Sequence, residues 1–344
     1  MSDSELTATA QALVAPGKGI LAADESSGTI KKRFDSIDVE STEDNRRDYR
    51  EMLFRAEGAG DFISGVILYD ETIRQKALDG TPFPKLLEAE GVVPGIKVDK
   101  GAKDLANAPG EKITEGLDGL RERLAEYYEL GARFTKWRAV ITIGKGIPSE
   151  YCLWTNAHAL ARYAALSQEA GLVPIVEPEV LMDGDHTLGR CLAVTEATLR
   201  AVFAQLAAQR VVLEGMLLKP NMILPGEDAA DPVNVDAVAD ATVGCFLRVV
   251  PAAVPGIVFL SGGQPSKLAS AHLNAMNVRF RGRMPWALAF SFARAIQQPA
   301  LEIWGGRPAN VGAAQQALFH RADCNRAARR GEYDVGADVP RAAS

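Results

Sequence analysis

The sequence predicts an α/β protein folded as a single closed (β/α)8 barrel, the TIM barrel, with its active site at the C-terminal ends of the strands. Three observations carry this reading. Eight short apolar runs are spaced along the chain, with helical periodicity between them. The runs end at Asp24, Asp70, Asp99, Arg138, Glu179, Lys219, Ser261 and Ser291, so polar groups recur where a barrel concentrates its chemistry. No break in composition divides the 344 residues, a length that one large barrel accommodates. An open, doubly wound sheet is the alternative arrangement of repeated βα units. The barrel domain is assigned to residues 1–330, and 331–344, rich in Gly, Ala and Pro, is expected to be a flexible C-terminal tail.

In chain order, residues 5–15 predict a short amphipathic helix stopped by Pro16 and Gly17, and 19–24 a first strand. Residues 41–57 are helical, 64–70 the second strand and 95–99 the third, which places Lys97 and Asp99 on one face. Leu117, Leu120, Leu124 and Tyr127 recur at helical spacing before Gly131. The fourth strand is 133–138, the helix after Ser149 runs to Gly171, and the fifth strand is 173–179. A helix carrying Leu199, Val202, Phe203 and Leu206 leads into the sixth, the apolar run 211–218 that delivers Lys219 and is stopped by Pro220. A helix over about 233–250, strand seven at 256–263, strand eight at 286–291 and a last helix over about 308–329 complete the pattern.

Composition excludes several function classes. Hydrophobic content of 47% supplies a full core, and a net charge of −6 argues against nucleic-acid or anionic-membrane binding. Cys152, Cys191, Cys245 and Cys324 form no CxxC pair, and His158, His186, His272 and His320 stand apart with no chelating spacing. No metal and no cofactor are therefore expected. The polar N-terminus and the lack of a run of ~18 apolar residues predict a cytoplasmic protein that does not cross a membrane. Two motifs are set aside. The dinucleotide-like 17–22 stretch precedes its strand instead of following one, and Leu260-Ser261-Gly262-Gly263-Gln264, the signature of transporter ATPases, has no GxxxxGK[ST] loop to accompany it.

The remaining polar residues suit carbonyl chemistry. Lys219, shielded at a strand end, is the candidate Schiff-base nucleophile, since desolvation favours the free amine over the ammonium ion. The bland alternative is a lysine whose stem is buried and whose head reaches water. Lys136 and Arg138 alternate on one face of strand four, as Glu177 and Glu179 do on strand five. With both faces inward, two cations and two carboxylates line the mouth beside Lys219, unless they serve only as an ion-pair network closing the barrel. Lys136 would repel a charged Lys219, Glu177 could move protons during imine formation, and Asp24 could accept a hydroxyl proton as a carbon–carbon bond breaks. The Ser261, Gly262 and Gly263 turn and Arg294 follow strands seven and eight, the loops that carry phosphate in many barrels.

Six motifs in order resemble those of class I fructose-bisphosphate aldolases: Ala23-Asp24-Glu25-Ser26, residues 95–101, Lys136-Trp137-Arg138, Val176-Glu177-Pro178-Glu179, residues 217–222 and residues 260–264. The resemblance spans roughly 12–330 and implies metal-free, reversible cleavage of fructose 1,6-bisphosphate to dihydroxyacetone phosphate and glyceraldehyde 3-phosphate, a step of glycolysis and gluconeogenesis. It implies Lys219 as the Schiff-base residue, Glu177 as its acid and base, and Glu179, Lys136 and Asp24 as supporting catalytic groups. Ser261, Gly262, Gly263 and Arg294 resemble the pocket for one phosphate, and Ser26, Thr29, Lys97 and Arg138 the contacts at the other end of the sugar. A homotetramer binding small-molecule sugar phosphates is the family pattern; a non-catalytic sugar-phosphate-binding scaffold and a zinc-dependent aldolase are the competing readings. Two departures stand out. Vertebrate members end in a tyrosine that reaches the site, whereas the last tyrosine here is Tyr333, and Ala293 stands where glycine is usual, which would strain a left-handed backbone.

Overall fold

The computed structural model describes residues 3–230 and 233–339. Helix α1 (Asp3–Leu13) leads into β1 (Gly19–Ala22), followed by α2 (Ser27–Asp35), α3 (Glu43–Phe54), β2 (Ile63–Leu68), α4 (Asp70–Arg74), α5 (Phe83–Ala89) and β3 (Val93–Lys97). A hairpin of β4 (Ala102–Asp104) and β5 (Lys112–Thr114) precedes α6 (Leu120–Glu129), β6 (Phe134–Ile141), α7 (Glu150–Glu169), β7 (Val173–Val180) and α8 (Leu188–Ala208). The chain continues through β8 (Leu217–Leu218), α9 (Val235–Val249), β9 (Gly256–Phe259), α10 (Ser266–Arg279), β10 (Ala287–Phe292), α11 (Arg294–Trp304) and α12 (Val311–Arg330). The barrel closes in the order β1-β2-β3-β6-β7-β8-β9-β10, and every pairing within it is parallel. This is the eight-stranded (β/α)8 architecture that the apolar runs predict.

Strand parity divides the core in two. Ile20, Ala22, Ile67, Phe134, Val173, Ile175, Leu217, Val258 and Ala289 pack together inside the barrel, while Leu21, Val66, Ile96, Trp137, Val176, Leu218, Ile257 and Phe290 face the helices. The inner cluster is capped from below by Leu6, Ala10 and Leu13, so α1 plugs the amino end of the barrel. Gly95 is required at its place because a Cβ there would lie 2.3 Å from the Phe134 ring that fills the interior. On five of the strands, two residues further along the inward-facing line, the apolar layer gives way to Asp24, Lys136, Glu177, Lys219 and Ser291. The packed floor therefore sets the height at which charge begins.

Two expectations need correction. The run before Lys219 is not one long strand: only Leu217 and Leu218 pair with β7, and Leu213–Gly215 form a 3₁₀ turn. Gln168 on α7 holds that turn by donating to Val212 O at 2.8 Å and Gly215 O at 3.1 Å, so a side chain replaces a strand neighbour. Apolar run length alone cannot distinguish these outcomes. Second, the start of the supposed flexible tail is docked. Tyr333 and Asp338 are buried, the Tyr333 hydroxyl donates to Asp338 Oδ2 at 2.6 Å, and Arg321 reaches the same oxygen at 2.5 Å. A buried carboxylate needs such partners; residues 340–344 lie outside those described. Helix α8 is long and apolar enough to cross a membrane by length and composition alone. It is nonetheless a barrel helix, packed against α7, α9 and β7 with Val194, Leu199, Val202 and Leu206 buried.

Candidate active site

Lys219 sits at the last rung of β8, its N–H donating to Val176 O at 2.8 Å before Pro220 ends the ladder. The residue is 3% exposed and inward-facing, which rules out a lysine reaching bulk water. Its Nζ lies 3.2 Å from Glu177 Oε1 on β7. The other carboxylate oxygen of Glu177 is 3.4 Å from Lys136 Nζ, which lies 2.5 Å from Asp24 Oδ2. Asp24, Lys136, Glu177 and Lys219 thus form a row in which acidic and basic side chains alternate across four strand ends.

Two members of the row, Asp24 and Lys136, have a definite charge state. Burial would raise the Asp24 carboxyl, but Lys136, Lys219 and Lys97 together outweigh it and hold Asp24 well below the usual carboxylate range. Burial likewise works against a charged Lys136, yet Asp24, Glu177 and Asp99 push its ammonium well above the ordinary lysine value. Lys136 is therefore a fixed cation and Asp24 a fixed anion.

Beyond the row, Glu179 pairs with Arg138 Nε. Asp99 ties the far side together: Lys97 Nζ donates to its Oδ1 at 2.5 Å and to its carbonyl at 2.9 Å, and its Oδ2 accepts the Arg138 N–H at 3.2 Å. Ser26 starts α2 as its N-cap, with its Oγ accepting from Thr29 N at 3.4 Å and lying 3.1 Å from Thr29 Oγ1.

On the opposite side, Gly262 and Gly263 turn through φ of +59° and +93° after Ser261, a path open to glycine. A Cβ on Gly263 would come within 3.1 Å of Arg294 Nη2, so the guanidinium lies directly over the turn. Among the described residues, no acceptor takes the N–H groups of Ser261, Gly262 or Gly263. Donors and cation face the same space, as an anion requires. Ala293, before Arg294, has φ −103° and ψ −87°, so the left-handed strain expected of alanine there does not arise.

A cavity of about 320 Å3 opens onto these groups, Asp99 excepted. Every one of the thirteen residues singled out in the sequence lines it: Asp24, Ser26, Thr29, Lys97, Lys136, Arg138, Glu177, Glu179, Lys219, Ser261, Gly262, Gly263 and Arg294. The cavity also takes in two residues to which sequence reasoning gave no role. Arg33 faces it from α2, 2.5 Å from Glu25 Oε1, and Ser291 contributes a buried hydroxyl that has no hydrogen-bond partner among the described residues. Ser291 was visible as a strand end, but Arg33 carried no local signal. Tyr333 does not line the cavity.

One group of described residues could hold a metal ion: His320, Cys324 and Asp338. Their sequence positions hid it, because Asp338 comes from beyond the last helix. The cluster lies outside the cavity, and its Asp338 Oδ2 already accepts from Arg321 and Tyr333.

The fructose-bisphosphate aldolase class-I family model matches residues 5–344. The chain is 57% identical over 334 residues to a probable fructose-bisphosphate aldolase class 1 of Xanthomonas campestris, covering 97% of this chain and 99% of that one. It is 52% identical over 340 residues to the cytosolic fructose-bisphosphate aldolase 4 of Arabidopsis thaliana, covering 99% and 86%. Its backbone is similar to that of the fructose-bisphosphate aldolase of Plasmodium falciparum, solved in complex with TRAP and a small-molecule inhibitor. That match has a TM-score of 0.95 and 49% identity, covering 96% of this chain and 95% of the other. With this geometry and these relatives, the chain belongs to the class I fructose-bisphosphate aldolases.

Proposed function

We propose that this protein cleaves fructose 1,6-bisphosphate reversibly through a Schiff base on Lys219. The observation that carries the assignment is the buried Lys219 amine, 3.2 Å from Glu177 and facing a cavity with a phosphate-sized cradle at one end. The open-chain sugar lies with its C1 phosphate at Ser261, Gly262, Gly263 and Arg294, and its other phosphate toward Ser26, Thr29, Lys97 and Arg138. Lys219 Nζ attacks the C2 carbonyl to give a carbinolamine. Glu177 delivers a proton to the departing hydroxyl, and water leaves as the iminium forms.

The iminium then draws the electrons of the C3–C4 bond. Asp24, held as an anion, accepts the C4 hydroxyl proton while that bond breaks and the new C4 carbonyl leaves as glyceraldehyde 3-phosphate. The bond electrons rest in an enamine, which takes a proton at C3. Hydrolysis of the resulting iminium releases dihydroxyacetone phosphate and restores the amine. Lys136 keeps the Asp24 and Glu177 carboxylates from facing each other uncompensated, and Glu179 orients Arg138.

The decisive experiment is a coupled triose-phosphate assay of the wild type and Lys219→Ala. The wild type should release both trioses and the variant neither; full activity in Lys219→Ala would contradict the mechanism. A folded wild type that binds the sugar without releasing triose would indicate a scaffold. The resemblance also supports a cytoplasmic homotetramer, to be checked by light scattering of the purified chain.

A further inference from the structure

Gln297 is completely buried on α11, three residues after Arg294 and so on the same face of that helix. Its amide makes three long-range bonds. Nε2 donates to Ala22 O at 2.5 Å, while Oε1 accepts from the Tyr49 hydroxyl at 2.8 Å and from Arg33 Nη1 at 3.3 Å. Only one orientation of the amide fits, because a carbonyl lies on one side and two donors on the other. Burial, reinforced by Glu25, pushes the Tyr49 phenol well above its ordinary value and keeps it a donor.

The bond to Ala22 fills a gap in the barrel. The β1–β10 ladder pairs Ile20 with Ser291 and Leu21 with Phe292, then stops because the chain turns into α11 at Ala293. The Gln297 side chain takes the carbonyl that the next rung would have taken. That carbonyl lies two residues before Asp24. Glu25, immediately after Asp24, is clamped by Arg33 at 2.5 Å and Arg50 at 2.7 Å. The helix bearing the phosphate arginine is thereby fixed to the strand bearing the carboxylate assigned to the C4 hydroxyl.

We propose that Gln297 is a positioning residue for carbon–carbon bond cleavage, registering α11 with the end of β1 so that Asp24 and Arg294 act on one bound sugar. The inference rests on the cleavage role given to Asp24. Its test is steady-state cleavage of fructose 1,6-bisphosphate by Gln297→Leu, Gln297→Glu and Asp24→Asn, each with a thermal melt. Because a small displacement of an aligned group costs roughly 10- to 100-fold in rate, Gln297→Leu should lose about that much kcat, with KM within about threefold of wild type. A folded Gln297→Leu with wild-type kcat, or one whose kcat falls only in step with the folded fraction, overturns the proposal. Should the leucine variant fail to fold, Gln297→Glu decides on the same criterion, since it keeps the volume and the acceptor for Tyr49 and Arg33 and sets a carboxyl oxygen in place of the donor to Ala22. If Asp24→Asn itself cleaves at the wild-type rate, the role of Asp24 fails; if it is impaired while Gln297→Leu is not, the positioning role alone fails.

Discussion

Lys136 decides whether the charged row can exist. It stands between Asp24 and Glu177, so removing its charge leaves two carboxylates close together in a site shielded from water. Lys136→Met should lower kcat/KM by more than about 100-fold and cost about 3–5 kcal/mol of stability, the scale for breaking a buried pair. Triose release and urea unfolding of the same preparation test both numbers. The pair also sets a pH window. Asp24 is depressed from 3.8, so its contribution to stability is present above that value and is lost as pH falls through the lower folded value. Lys136 is raised from 10.5, so its contribution is present below that value and is lost only as pH rises through the higher folded one. Between these limits both stay charged, and unfolding free energies measured below pH 3.8 should fall less steeply for Asp24→Asn than for wild type. Equal slopes would contradict the depressed carboxyl.

At the scale of the elements, strand parity carries charge from the packed interior to the rim, and α1 supports it from below. Leu13 is fully buried at that plug. Leu13→Ala should destabilise the protein by about 2–5 kcal/mol, the usual cost of a buried leucine truncation, and leave KM unchanged because no substrate group reaches that layer. Denaturant titration and steady-state kinetics check the two halves separately. The same parity explains what could be read in advance. A charged residue two positions beyond an apolar inward residue is a local pattern, so Asp24, Lys136, Glu177 and Lys219 were legible from their strands. The turn before β8 was not, because Gln168 on a preceding helix supplies its bonds. Glu25, Arg33, Arg50 and Gln297 were equally hidden: their partners lie up to 275 positions apart, and no spacing rule reaches so far. The hairpin of β4 and β5 escaped notice because three-residue strands leave almost no periodicity.

For the whole molecule, a net charge of −6 surrounds a cavity whose two ends carry Arg294 and the Lys97–Arg138 pair. Binding by local positive charge in an acidic protein should weaken with ionic strength. Inorganic phosphate should compete with fructose 1,6-bisphosphate, and Arg294→Ala should raise KM roughly 10- to 100-fold, matching about 1.5–3 kcal/mol for hydrogen bonds to a charged group. Phosphate that leaves KM untouched would count against the assigned cradle. The most direct test of the whole scheme is covalent. Borohydride added to the protein with dihydroxyacetone phosphate should leave a stable reduced adduct, and peptide mass spectrometry should find it on Lys219. An adduct on another lysine, or none under conditions of full turnover, would contradict the central claim.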